Sequence, residues 1–358
     1  MIVLTLFLLA ASISFTLSRW KSIPVIPLLL ASGVLLQAVV VGLGREVPPE
    51  MLKSVVEIGL AVLAFTAGID LSPRRFRHRG RAVVAIGLIQ FFALGVAGFL
   101  TGWFLGYTWV VSAYLGCALS ASSTLVVVRH LKSRQQMFES FGRMVTGVLL
   151  VQDLIIILVL VVLLRIGEGQ EAWVIGLGGT LLLAVLAGML HRWLIPLVVE
   201  KVSLDEEQLL LSALALLFAF CGLAALFSLP FVVGGFFAGF VLSAFPMNGL
   251  LRGMLGSMSS FFLALFFIGL GAVMVIPSWE IFGHALICAI VLLAVTVPLV
   301  AVVGERLGMS SRAAIESGLL LSQTSEFSLI LVLLGVAAGH VSPEFFSMIA
   351  IVTVGPWL

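Results

Sequence analysis

The segment from Gly147 to Val162 reads GVLLVQDLIIILVLVV, and apolar runs of this length recur from one end of the chain to the other. A helix crossing the hydrocarbon of a bilayer needs about 20 such residues. Their recurrence confines the chain to one fold class, an all-α polytopic membrane protein embedded in lipid. Charge agrees: only 10% of the 358 residues are charged, whereas a soluble domain carries roughly 25%. The net charge is +2 and no basic tract is interleaved with aromatics, so no nucleic-acid partner is expected. Cys117, Cys221 and Cys288 sit singly in apolar runs and read as small lipid-buried residues, not as a zinc site or a disulfide framework. No two of the five histidines have metal-ligand spacing, and no cofactor is expected. The opening run Met1 to Leu17 lacks a basic leader and a small-residue cleavage site, so it reads as a retained first span.

Breaks of charge, Pro and Gly divide the chain into thirteen expected spans, near 1–18, 24–42, 54–70, 82–105, 110–128, 144–164, 173–190, 208–227, 230–246, 257–276, 282–303, 313–338 and 343–358. An odd count puts the termini on opposite sides, and Lys and Arg collect on the cytoplasmic side. With the N-terminus outside, sixteen of the nineteen basic residues fall in inner loops, leaving Arg45, Lys53 and Arg165 outside. The expected topology is therefore N-terminus outside and C-terminus cytoplasmic, in a bacterial inner membrane. The densest inner cluster, SPRRFRHRGR at 72–81, reads as topogenic.

The two halves resemble each other. PVIPLLLASGVLL at 24–36 aligns with PFVVGGFFAGFVL at 230–242, LAVLAFTAG at 60–68 with FLALFFIGL at 262–270, and LSASST at 119–124 with LSQTSE at 321–326. The offsets are 206, 202 and 202, and each pair runs in opposite directions through the membrane. Inverted repeats of this kind belong to secondary transporters, with the binding site at the midplane between them. The third match places small polar runs, Ser120 to Thr124 and Ser322 to Glu326, deep in apolar spans. Hydroxyls can replace backbone hydrogen bonds, so a membrane helix can unwind there. Two such runs at symmetry-related positions predict crossed broken helices rather than ordinary Ser/Thr packing.

Asp153 is the ninth residue of a span of about twenty, near the membrane midplane. An ionised Asp there costs about 2.5–3.5 kcal/mol on insertion scales. Leu149, Leu150, Ile156 and Ile157 are its neighbours on the helix, so its own helix offers it no partner. Burial favours the neutral form, whereas a bound cation favours the carboxylate and expels the proton. One acid that takes either a proton or a monovalent cation is a sufficient chemical basis for antiport. Gln152 lies roughly 100° away around the helix and offers oxygen without charge. A single titrating acid would trade one proton for one monovalent cation, without net charge movement.

The order of SST in one span, GR…LLVQD in the next and LLLSQ..EF near the C-terminus resembles the CPA2 cation/proton antiporters, and is most similar to the Kef-type potassium/proton antiporters. The resemblance runs along essentially the whole chain, including EIGLAVLAFTAGID at 57–70 and FFIGLG at 266–271. It implies a sodium/proton antiporter-like fold with a transport core at 82–165 and 282–358. A dimerisation subdomain at 1–70 and 208–276, a connecting helix at 173–195 and a homodimer are implied as well. It also implies that Asp153 binds the cation or the proton, K+ favoured and Na+ the alternative, with Gln152, Ser123 and Thr124 beside it. Ser122, Gln323, Thr324, Ser325 and Glu326 match the broken helices, and Arg143 matches the family's GR. Glu326 is either a second ligand or, the favoured reading, half of an ion pair with Arg143 or Arg312. Two departures stand out: Thr324 and Ser325 replace a glycine pair, and LLAVTVPLVAVV in the eleventh span holds no basic residue to pair with the acid. Relatives of this kind continue into a cytosolic nucleotide-binding domain. This chain stops at VTVGPWL, so such a regulatory domain or subunit is a candidate partner rather than part of it.

The alternatives are weaker. An intramembrane aspartyl protease needs a second membrane aspartate, and Asp70 lacks GxGD around it; a zinc protease needs HExxH, which is absent. A channel would want rings of oxygens rather than one acid. The remaining rival is a sodium-coupled organic anion symporter on a similar inverted-repeat fold.

Overall fold

The computed structural model describes residues 2–21, 24–42, 49–70, 80–137, 139–166, 168–195, 205–243 and 248–355. The described residues form α1 (Ile2–Lys21), α2 (Val25–Gly42), α3 (Pro49–Asp70), α4 (Gly80–Phe104), α5 (Trp109–Ser120), α6 (Thr124–Ser133), α7 (Ser140–Leu163) and α8 (Gln170–Met189). A π turn, Leu190–Leu194, extends α8. Then follow α9 (Glu206–Leu226), α10 (Phe231–Leu242), α11 (Asn248–Val273), α12 (Trp279–Arg306), α13 (Ser311–Leu321), α14 (Glu326–Ala337) and α15 (Pro343–Val354). Seven of the described helices are long and apolar enough to cross a membrane by themselves. Of the basic cluster at 72–81, the described residues include only Gly80 and Arg81, which open α4.

The chain divides into two compact units, one of residues Met1–Ser72 and Arg165–Met274, the other of Pro73–Leu164 and Val275–Leu358. The helix read as a connector, α8, is part of the first unit.

In the first unit, glycines set the packing. Lipid supplies no hydrophobic drive between helices, so association relies on close backbone approach and dispersion. A Cβ on Gly239 of α10 would run into the Phe65 carbonyl of α3, and one on Gly68 of α3 into the Phe236 carbonyl of α10. Likewise, a Cβ on Gly33 of α2 would strike the Ile268 carbonyl of α11, and one on Gly271 the Leu30 carbonyl. The repeat maps α2 onto α10 and α3 onto α11, so each glycine crossing is the symmetry image of the other. Ser228, with φ 53°, separates α9 from α10. Arg165 holds that turn from Nη2, donating to the Ser228 carbonyl at 2.8 Å, and its Nη1 meets Glu168 at 2.7 Å.

The second unit repeats the device. α4 lies along α5, where a Cβ on Gly98 would come within 2.8 Å of Gly116 Cα. Its counterpart sets α12 against α13, where a Cβ on Gly318 would come within 2.9 Å of Val297 Cα. Ile86, Leu131, Val148, Leu149, Val300 and Leu321 belong to one apolar cluster joining α4, α6, α7, α12 and α13. The chain's two tyrosines each bond a histidine: Tyr107 meets His284 Nδ1 at 2.9 Å and Tyr114 meets His340 Nδ1 at 2.8 Å. Burial pushes Tyr107, in the loop after α4, up to about 12, so this phenol stays protonated and able to donate.

Candidate cation and proton site

Two helical passes of the second unit break in their hydroxyl-rich stretches. α5 stops at Ser120 and α6 starts at Thr124; α13 stops at Leu321 and α14 starts at Glu326. Ser and Thr compete with the helix by bonding nearby backbone groups. Here the intervening backbone is extended, with φ −97° and ψ 132° at Ala121, and φ −78° and ψ 152° at Ser325. The two extended pieces cross and pair antiparallel at Ser122 and Thr324. The Ser123 amide donates to the Gln323 carbonyl at 3.1 Å, and the Ser325 amide to the Ala121 carbonyl at 2.9 Å.

Buried peptide groups in a membrane must find partners, and side chains supply the rest. The Ser122 amide donates to Gln152 Oε1 at 3.1 Å. The Leu321 carbonyl, left over at the end of α13, accepts from Ser122 Oγ at 2.6 Å and Gln90 Nε2 at 3.3 Å. Ser123 caps α6 by accepting from the Val126 amide, and Ser325 caps α14 by accepting from the Phe327 amide. Thr324 Oγ1 donates to Thr353 Oγ1 at 2.9 Å. Glycines are therefore unnecessary in the second break. Its pairing uses extended backbone that any residue adopts, and among the described residues only Gln135 and Ser228 combine a side chain with positive φ.

Asp153 reaches this crossing from α7. It is fully buried, and Thr124 Oγ1 donates to its Oδ2 at 2.8 Å. Thr124, unlike Asp153, keeps partial exposure. The preceding hydroxyl, Ser123 Oγ, donates to Glu326 Oε2 at 3.0 Å. Two consecutive hydroxyls thus serve two carboxylates. Glu326 is 6% exposed and occupies the first turn of α14, where the positive end of the helix dipole favours negative charge. The expected pairing with Arg312 is not what the structure has: Arg312 Nε bonds Glu316 Oε1 at 2.9 Å, one helical turn away and on an exposed surface. Geometry explains this, since an i,i+4 pair forms without stretching either side chain across the unit. Arg143 is exposed in the first turn of α7, ten residues before Asp153 and thus about 15 Å of helix away from it.

The crossing therefore gathers Ser122, Ser123, Thr124, Gln152, Asp153, Gln323, Thr324, Ser325 and Glu326, and leaves Arg143 apart. Gln152 has one lone pair of its oxygen committed to the break, and one remaining. Gln90 of α4 was not singled out from the sequence, although GLIQFFAL carries the same signal as LLVQD, one amide in an apolar run. Thr353 left no such mark, being a lone hydroxyl at the end of a span. Gln90→Leu should lower the melting temperature in detergent by an amount equivalent to about 1–2 kcal/mol, because the Ser122 hydroxyl and the Leu321 carbonyl each lose a donor. Thermal unfolding followed by tryptophan fluorescence measures it.

A fully buried carboxylate at the crossing of two broken helices, on an inverted-repeat membrane fold, is the architecture of secondary transporters. The chain belongs to the family described as "Sodium/hydrogen exchanger, transmembrane", whose model matches residues 3–358. It is 27% identical over 99% of its length to the chloroplastic K(+) efflux antiporter 2 of Arabidopsis thaliana, covering 32% of that protein. It is 26% identical over 85% of its length to the glutathione-regulated potassium-efflux system protein KefC of Salmonella heidelberg, covering 50%. The chain thus spans half or less of the length of these two relatives. The sodium proton antiporter MjNhaP1 from Methanocaldococcus jannaschii at pH 8 superposes with a TM-score of 0.68 at 15% identity, over 99% of this chain and 92% of that one. That likeness establishes the fold.

Proposed function

We propose that the protein exchanges a monovalent cation for a proton by alternating access, with Asp153 holding one or the other. The observation that carries this reading is Asp153 itself, fully buried and bonded by the residue that opens half-helix α6. A neutral carboxyl at Asp153 can keep the Thr124 hydrogen bond. A carboxylate buried at mid-membrane is costly, and a bound cation favours it over the neutral form. The cation supplies the counter-charge, with Thr124, Ser123 and the free lone pair of Gln152 Oε1 at hand as neutral oxygens. Exchange is then one for one and moves no net charge.

K+ is the favoured cation because the potassium-efflux relatives match most of this chain; Na+ is the alternative. The second unit, with its broken helices, would carry the ion, and the first would anchor a homodimer through 1–70 and 208–276. Thirteen passes with the N-terminus outside accord with the distribution of Lys and Arg. A cytosolic regulatory domain or subunit would act from the C-terminal side.

The test uses proteoliposomes with an imposed pH gradient. Addition of K+, and at higher concentration Na+, should discharge the gradient without any organic substrate and regardless of membrane voltage. A requirement for an organic anion would replace antiport with sodium-coupled symport, and a voltage-dependent current would remove the one-for-one stoichiometry.

A further inference from the structure

Buried polar atoms without partners are few in native proteins, and in this one they concentrate around the crossing. Among the described residues they include Gln90 Oε1, Gln152 Nε2, Gln323 Oε1 and Thr296 Oγ1. The Gln90 amide cannot be turned round to explain its orphan, because its nitrogen must face the Leu321 carbonyl to donate. Thr296 of α12 is the least expected member. It is fully buried, and its hydroxyl makes no hydrogen bond among the described residues.

A threonine inside a helix ordinarily returns its hydrogen to the carbonyl four residues back. Thr146, Thr180 and Thr353 do so here, at 2.7, 2.8 and 2.8 Å. Thr296 forgoes that bond, so its hydroxyl orientation is not spent on its own helix, and nothing among the described residues uses its lone pairs. Its place in the fold is defined by its neighbours. Val297 sits against Gly318 of α13, less than one turn from Leu321, whose carbonyl is tied to Ser122. Val300, one turn further along α12, shares the apolar cluster with Val148 and Leu149 of α7, and Asp153 follows Leu149 by one turn. Thr296 thus lies on the stretch of α12 between the contact with Gly318 and the apolar cluster, one residue before Val297 and one turn before Val300.

We propose that Thr296 is a ligand of the transported cation, lending its hydroxyl oxygen alongside Gln90 Oε1 and Asp153 to a shell rich in neutral oxygens. A monovalent cation that sheds water on entering must replace those oxygens, and hydroxyl and amide oxygens suit it. The inference rests on the exchange reading above and names a further residue that tunes affinity for the cation.

Thr296→Val is nearly isosteric and removes a hydroxyl that bonds nothing, so the protein should melt at the same temperature or higher. Its half-saturating K+ concentration for proton release should nonetheless rise about tenfold, equivalent to ~1.4 kcal/mol of binding. Stabilisation of the detergent-solubilised protein by added K+ should shift to higher concentration by the same factor, a readout independent of transport. Thr296→Ser, which keeps the oxygen, should match wild type in both. Should the Val variant fail to fold, Thr296→Ala against Thr296→Ser carries the same comparison. An unchanged K+ dependence in the Val or Ala variant, or a Ser variant shifted as far as they are, would overturn the proposal. If wild type exchanges cations and only this comparison fails, the assignment of Thr296 falls alone; if wild type shows no cation-dependent proton flux, the exchange reading falls first.

Discussion

Asp153→Asn is expected to fold, insert and exchange nothing. The amide has the shape of the carboxyl, and its Oδ1 can still accept the hydrogen bond that Thr124 donates at 2.8 Å to the native side chain. What disappears is charge. The amide cannot bind or release a proton in the working pH range, and it cannot neutralise a cation. Proton flux driven by K+ or Na+ in proteoliposomes should fall to the level of empty vesicles at every pH. Melting temperature should hold or rise, since the variant no longer carries a group whose ionised form costs about 2.5–3.5 kcal/mol at mid-membrane. A folded variant that still exchanged cations would remove Asp153 from the mechanism, and with it the account of coupling. Substituting the exposed Arg143 with Gln, by contrast, leaves the hydrogen bonds of the crossing intact, so it separates damage to the site from damage at the membrane edge.

Gly239→Val should have the largest effect on folding. A Cβ at this position would overlap the Phe65 carbonyl of α3 and come within 2.9 Å of the Ile69 amide, both of them backbone atoms. Backbone in a packed helix pair cannot swing aside as a flexible side chain can, so α3 and α10 would have to separate. Overpacking a core typically costs about 1–3 kcal/mol, and a clash with backbone belongs at or above the top of that range. Gly222→Val in α9 is the control, because nothing lies within 4 Å of its added Cβ. Size-exclusion profiles and melting curves in mild detergent should show the first variant aggregated or strongly destabilised and the second close to wild type. Equal behaviour of the two would mean that the glycine crossing does not set the packing of the first unit.

Much of this architecture is visible in the chain before it folds. Apolar runs of about 20 residues admit little except membrane helices, and the hydroxyl runs at 120–124 and 322–326 mark where two of them break. In both cases the signal is local, because lipid forces each segment to satisfy its own backbone and a stretch that cannot do so must be polar. Gln90 shows where attention to motifs falls short. It carries the same mark as Gln152 but has no acid beside it in sequence, and its partners, the Ser122 hydroxyl and the Leu321 carbonyl, come from distant parts of the chain. The pairing of Glu326 with Arg312 failed for the opposite reason. Charge type suggested it, whereas distance along α13 handed Arg312 to Glu316.

The amino-acid sequence alone determined the membrane class, the two weakly similar halves and the acid at mid-span, because each follows from local composition and helical geometry. The tertiary structure alone decided how the two breaks pair, which hydroxyl serves which carboxylate, and which buried oxygens remain unspent. Those relations join residues from 29 to 203 positions apart, and no local pattern records the partner of a hydrogen bond until the chain has brought the two together.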